Sequence, residues 1–160
     1  MSYVLAQQRD SDVVTAFENY RAYLQGNRKA FPPSAYALAA SDWYFDPDDR
    51  RCPHDGWLES VTIGEPSSGP RHELRSSTLT IRLLGAYHDG HIEFVYPEVH
   101  AYDLHMITLK KGHGDWRYDE FRLSETGRVI HEIEWATSED SGRWLIEASD
   151  VFHRWMPKSA

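Results

Sequence analysis

Cysteine is almost absent from this chain, because Cys52 is the only one among 160 residues. A lone cysteine cannot form an internal disulfide, so the composition gives no sign of an oxidising compartment. No apolar run approaches the ~18 residues that a membrane-spanning helix requires. The first residues also lack the basic start and apolar segment of a secretory signal. We therefore expect a cytoplasmic protein with no membrane partner.

Familiar catalytic motifs are missing as well. The sequence contains no G-x-S-x-G, no P-loop and no dinucleotide-binding glycine fingerprint. Arg50 and Arg51 precede Cys52 and would favour its thiolate, but the sequence places no histidine beside it. Carboxylate pairs such as Asp119-Glu120 occur without other features of a glycosidase. The sequence therefore predicts no enzyme, no catalytic residues and no cofactor.

Basic residues are in the minority. The chain has 17 Lys and Arg against 25 Asp and Glu, a net charge of −8. Residues 115–150 contain ten acidic side chains and four arginines, a net of −6. Nucleic-acid binding depends on Lys and Arg that neutralise phosphates, so we expect no nucleic-acid partner. An acidic protein attracts basic proteins, although solubility alone also explains an acidic composition.

Alternating apolar residues predict a β-hairpin near the middle of the chain. The apolar positions are Leu79, Ile81 and Leu83 before the turn, and Ile92, Phe94 and Tyr96 after it. Asp89-Gly90 supplies the turn, because glycine adopts positive φ without steric cost.

Helices are predicted before this hairpin and further strands around it. The helices cover residues 12–28 and 34–40, and the strands cover 57–64, 75–86, 91–96, 99–106, 116–123, 129–136 and 144–149. Pro97 predicts a bulge or break, and residues 150–160 predict a single helical turn. Short connections favour antiparallel neighbours. We therefore expect one α+β domain over residues 1–160: a helical part over 1–42 with two N-terminal helices, then a bent antiparallel sheet of six to seven strands over 57–149, as a meander or half-open barrel.

Aromatic residues are interleaved with the carboxylates of the acidic segment. Large rings surrounded by carboxylates suit a surface that binds a basic protein. The predicted partner-binding residues are Asp115, Trp116, Tyr118, Asp119, Glu120, Glu132 and Glu134. Glu132 and Glu134 share a strand face that we expect to be solvated. Trp135 and Trp144 are expected in the core, while Trp116 and Tyr118 fit either a core or a surface position.

Nine histidines leave an alternative function open. A small-ligand or metal-dependent domain would have a pocket formed by His54, Asp55, His88 and His91. The His54-Asp55 pair lies between a proline and a glycine, whereas metal-dependent phosphohydrolases present such a pair mainly from helices. No C-x-x-C or H-x-x-x-H spacing reinforces these residues, so we expect no metal. A structural oligomer subunit is a third possibility.

Two stretches of the sequence resemble a known family. They are PHDGWLESVTI over residues 53–63 and TLTIRLLGAYHDGHIEFVYPEVHAYDL over residues 78–104. The His54-Asp55 pair that enters a strand, and the later residues Phe94, Val99 and Tyr102, are similar to small bacterial immunity proteins of the group called immunity protein 50. The resemblance implies a cytoplasmic, non-enzymatic protein that neutralises a cognate toxin by occluding its active site. Nuclease toxins tend to be basic, which agrees with the acidic segment.

Overall fold

Helices occupy the first part of the chain in a computed structural model that describes residues 1–159. They are α1 (Ala6–Arg9), α2 (Val13–Gly26) and α3 (Pro33–Ala39). The side chain of Asp12 caps α2 by accepting a hydrogen bond from the N–H of Thr15. Both predicted helices are confirmed, and the single turn of α1 is an addition that the sequence pattern did not predict. Within residues 1–159, no helix has the length and apolar character needed to cross a membrane.

Ten strands follow the helices within the described residues 1–159. They are β1 (Trp57–Gly64), β2 (Ser67–Ser68), β3 (Leu74–Arg75), β4 (Ser77–Leu84), β5 (Gly90–Met106), β6 (Lys110–His113), β7 (Asp115–Leu123), β8 (Val129–Ala136), β9 (Ser141–Ala148) and β10 (Phe152–Pro157). Seven of them form one antiparallel sheet in the order β10-β5-β4-β1-β7-β8-β9. Because β9 also pairs with β5, the sheet curls round on itself. The predicted α+β fold with N-terminal helices is confirmed.

The long strand β5 changes its neighbour partway along. Its first half pairs with β10 and its second half with β9, while β4 occupies the opposite edge of the first half. The register with β4 shifts between Ser77 and Leu79, opposite Pro97 and Glu98, and Glu98 has a φ of 47°. The bulge predicted at Pro97 is therefore present, and it lies where the strand passes from one neighbour to the next.

The C-terminal residues form a strand, so the predicted helical turn was wrong. β10 pairs with β5 from Phe152–Val95 to Pro157–Gly90. The first half of β5 would otherwise have an open edge, and pairing satisfies its backbone groups. The indole of Trp155 packs against Gly90, where an added Cβ would lie 2.3 Å from the ring. The local sequence carried no sign of this long-range pairing.

Side chains of α2 bind backbone groups at the edge of β7 that pairs with β1 at one position only. β1 pairs with β7 only at Trp57–Asp115, which leaves most of the β7 edge unpaired. There the hydroxyl of Tyr20 accepts a hydrogen bond from the N–H of Phe121, and the hydroxyl of Tyr23 accepts one from the N–H of Leu123, both at 2.8 Å. Two tyrosines of α2 therefore satisfy an edge that would otherwise be open.

Apolar side chains from the inner face of the sheet and from the helices form the core. Its largest fully buried members include Trp116, Trp135, Trp144, Tyr20, Tyr44, Tyr96, Phe94 and Phe121. The predicted core positions of Trp135 and Trp144 are confirmed, and Trp116 also proves to be a core residue.

Candidate functional site

Four of the seven residues predicted to bind a partner lie inside the protein. Trp116, Asp119, Glu120 and Glu132 are buried, Tyr118 and Glu134 are partly exposed, and Asp115 is exposed. Buried side chains cannot contact a partner on the folded surface. The accessible part of the predicted site is therefore reduced to three residues.

Asp119 is the centre of a buried hydrogen-bond network. Its carboxylate accepts hydrogen bonds from the hydroxyl of Tyr44 and from Nε1 of Trp116. Nε2 of His131 lies 2.7 Å from Oδ2, and Nδ1 of the same ring lies 2.6 Å from the hydroxyl of Tyr96. Asp119 is 3% exposed and the other four residues are fully buried. The carboxylate, imidazole and phenol groups of the network are therefore shielded from solvent. Through the bond from Tyr44 to Asp119, the network holds the segment before β1 against the sheet.

Glu120 binds the start of the chain. Its Oε2 accepts hydrogen bonds from the backbone N–H groups of Tyr3 and Val4, at 2.8 and 2.7 Å. Its other oxygen pairs with the guanidinium of Arg122. The N-terminal segment therefore lies across the outer face of β7, which explains why a glutamate on that face is fully buried.

Glu132 was predicted on a solvated strand face, and that prediction was wrong. The residue is only 4% exposed, because Arg122 and Arg143 cover its carboxylate from two sides. Burial alone would raise the pKa of Glu132, but the hydrogen bonds from Arg143 and Arg122 hold the pKa below its ordinary value. Glu132 is thus an ionised structural residue.

Glu134 differs from these carboxylates, because it is half-buried and belongs to none of the ion pairs found within residues 1–159. Its Oε2 accepts a hydrogen bond from the N–H of Ala6 at 2.9 Å. Burial raises the pKa of Glu134, and repulsion by Glu132 and Glu120 adds to the increase. Because it has no ion pair within residues 1–159, Glu134 is a predicted partner-binding carboxylate that an incoming cation could pair with.

Glu134 belongs to a larger solvent-facing surface formed by β5, β9 and β8. Residues paired across antiparallel strands point to the same side of the sheet, and nine of them form three short rows. They are Ala101, Asp103 and His105 on β5, then Glu147, Leu145 and Arg143 on β9, then Ile130, Glu132 and Glu134 on β8. We call these nine residues the acidic face.

The acidic face has an apolar middle and a charged border. Leu145 lies at its centre, flanked by Asp103 on one side and Glu132 on the other. Asp103, Glu147 and Glu134 are the accessible carboxylates of the face, whereas the fourth, Glu132, is buried beneath Arg122 and Arg143. The β5 residues are exposed and the β8 residues are less so, because the N-terminal segment covers that side. This arrangement of apolar centre and polar rim is typical of protein-binding surfaces.

Three of the residues on the acidic face could have been found from the sequence. The period-two pattern of residues 99–106 places Ala101, Asp103 and His105 on one strand face. The prediction concentrated instead on residues 115–150, and it missed that β5 pairs with β9. That pairing joins β5 to a strand far along the chain, which no local pattern specifies.

The four residues of the alternative pocket have separate contacts. Nδ1 of His54 lies 3.3 Å from Oδ2 of its neighbour Asp55, His88 packs against the ring of Trp57, and Nε2 of His91 lies 3.0 Å from Oε1 of Glu59. Among the described residues 1–159, no three His, Cys, Asp or Glu side chains are arranged to hold a metal ion. The geometry gives this alternative no support.

The chain matches no protein-family model, and comparison with curated proteins and with solved structures gives no significant match.

Cys52 does not provide a nucleophile. The side chain is buried, and burial raises the pKa of its thiol to about 12. The arginine that lowers this pKa is Arg9 and neither of the neighbouring arginines that the sequence suggested, and its effect is smaller than that of burial. At neutral pH Cys52 is therefore a protonated core residue.

Proposed function

We propose that this protein is a non-enzymatic protein-binding domain that binds a basic partner through the acidic face. The observation that carries the proposal is the pairing of β9 with both β5 and β8, because it places Asp103, Glu147 and Glu134 on one face of the sheet around Leu145. No ion pair within residues 1–159 involves any of these three carboxylates. Their charge is therefore available to a partner.

The most specific form of the proposal is an immunity protein that occludes the active site of a basic toxin. Two features of the sequence support this form of the proposal: the net charge of −8, and the resemblance that we see between residues 53–63 and 78–104 and immunity protein 50. An exposed sheet face with an apolar centre can cover the active site of another protein without a cofactor or a conformational change. The buried Asp119 network, by contrast, fits a structural role better than a catalytic one.

Co-expression with the product of the adjacent open reading frame tests this proposal. We expect a complex that co-purifies at low salt and weakens as ionic strength rises, because a charged interface is screened. We also expect the complex to lack the activity of the isolated neighbour. Failure to form a complex, or a complex that leaves the neighbour fully active, would refute the immunity function.

A further inference from the structure

A cleft of about 360 Å³ opens at the end of the acidic face near the β8–β9 turn. His105, Glu134 and Arg143 of the acidic face line it, together with Ile107, Arg117 and Trp135. The cleft is therefore part of the acidic face, which we propose as the partner-binding surface. Its chemistry limits what a partner could place there.

The two arginines of the cleft already have carboxylate partners. Arg143 pairs through Nε with Glu132, and Nη2 of Arg117 lies 2.7 Å from Oδ2 of Asp10. Glu134 has no such ion pair within residues 1–159, and its one hydrogen bond comes from the neutral N–H of Ala6. Burial raises the pKa of Glu134 and the positive charge of Arg117 acts to lower it, but neither arginine of the cleft forms an ion pair with this carboxylate.

One large apolar side chain, that of Ile107, lines the same cleft as Glu134. Ile107 is 66% exposed, although a large aliphatic side chain gains free energy when it leaves water. Lysine and arginine side chains combine a long aliphatic stem with a cationic head. Such a side chain could cover Ile107 with its stem while its head reaches Glu134.

We propose that the cleft receives one arginine or lysine side chain of the partner, with Glu134 as its anion and Ile107 as its apolar wall. The inference rests on the proposed protein-binding function and names the contact that would make the interface specific. Arginine is the better fit, because its planar guanidinium forms two parallel hydrogen bonds with a carboxylate.

Arg143, Arg117 and His105 raise the opposite possibility of an anion in the cleft. The charges of both arginines are already offset by Glu132 and Asp10, and the carboxylate of Glu134 would repel the anion. The observed pairing therefore favours a cation. A titration with sulfate separates the two possibilities.

The test is a titration of the full chain with N-acetyl-arginine amide, followed by backbone amide NMR shifts. We expect saturable shifts centred on Ile107, Glu134 and Gly142, and smaller ones with the uncharged N-acetyl-norleucine amide. Glu134→Gln retains the acceptor for Ala6 and should weaken binding by about tenfold. Glu125→Gln, at an exposed turn glutamate, should leave binding unchanged.

The cleft proposal would be overturned by an absence of saturable shifts, by equal shifts with the norleucine amide, or by equal affinity of the Glu134→Gln variant. Tighter binding of sulfate than of the arginine amide would also overturn it. The co-purification experiment separates the two proposals. A partner complex that forms equally well with Glu134→Gln would refute the cleft proposal but not the protein-binding function. Binding of the arginine amide without any partner complex would refute the protein-binding function.

Discussion

Asp119 and His131 lie side by side in the core, with Oδ2 of the carboxylate 2.7 Å from Nε2 of the imidazole. An imidazole nitrogen that carries a hydrogen donates to a carboxylate oxygen, so this contact places an N–H group at Nε2 of His131. The same carboxylate also accepts from Tyr44, which belongs to the segment between α3 and β1. One buried side chain therefore joins two strands to the helical part of the chain.

Asp119→Ala should destabilise the protein severely. Removing the carboxylate leaves the donors of Tyr44, Trp116 and His131 buried without an acceptor, so we expect the free energy of unfolding to fall by about 3–5 kcal/mol. Urea unfolding followed by tryptophan fluorescence measures this. Glu125→Ala, at an exposed turn position, is the control and should change stability by less than about 0.5 kcal/mol. Similar losses in both variants would show that the network contributes little.

Tyr20→Phe should leave the backbone groups of Phe121 on β7 without a hydrogen-bond partner. The substitution retains the aromatic ring but removes the hydroxyl that accepts from the N–H of Phe121 and donates to its carbonyl oxygen. We expect a loss of about 1–3 kcal/mol, because both backbone groups remain buried. Hydrogen exchange at the Phe121 amide should accelerate beyond the global change in stability. Unchanged exchange at this amide would contradict the role given to the α2 tyrosines.

Gly90→Ala should detach β10 from β5. An added Cβ would lie 2.3 Å from the ring of Trp155 and 2.8 Å from the carbonyl oxygen of Met156. Overpacking of this kind costs about 1–3 kcal/mol. Amide exchange in residues 152–157 should increase more than exchange in β8. The control is Gly26→Ala, because no atom lies within 4 Å of its added Cβ.

Stability should fall as the pH drops below 6.5, in part because of His153. Burial lowers the pKa of this imidazole in the folded protein, and its Nε2 lies 2.9 Å from the carbonyl oxygen of Arg51. The unfolded chain takes up the proton near pH 6.5, so the contribution of His153 is complete above that pH and is lost as the pH falls through the folded-state pKa. Urea unfolding at pH 7.5 and 5.5 should show a larger loss in the natural protein than in His153→Gln. Equal losses would contradict this assignment.

The sequence pattern predicted the elements that local residues determine. β1 and β8 have the predicted bounds. α2 begins at Val13, one residue after the predicted start, and Asp12 is its N-cap. In each case the apolar spacing or the capping residue lies inside the element itself. Nothing local indicated β10, because its partner is more than fifty residues away in β5.

The candidate site was predicted less well than the fold. Acidic residues at alternate positions of β7 and β8 resemble a solvated face, yet Glu120 and Glu132 are covered by the N-terminal segment and by arginines. Which side of a strand is covered depends on segments that arrive from elsewhere in the chain. The pattern did identify Glu134, and the alternation of residues 101–105 contains the information for the β5 row of the acidic face.

Charge reversal on the acidic face tests the central claim most directly. Asp103→Lys with Glu147→Lys changes two accessible carboxylates of the face, and Glu18→Lys with Glu125→Lys makes the same change in net charge at exposed positions outside the face. Calorimetric titration with the co-purifying neighbour should show at least about a tenfold weaker affinity for the first variant, while the second stays within about threefold of the natural protein. Equal weakening in both variants, or unchanged affinity in the first, would contradict binding through this face.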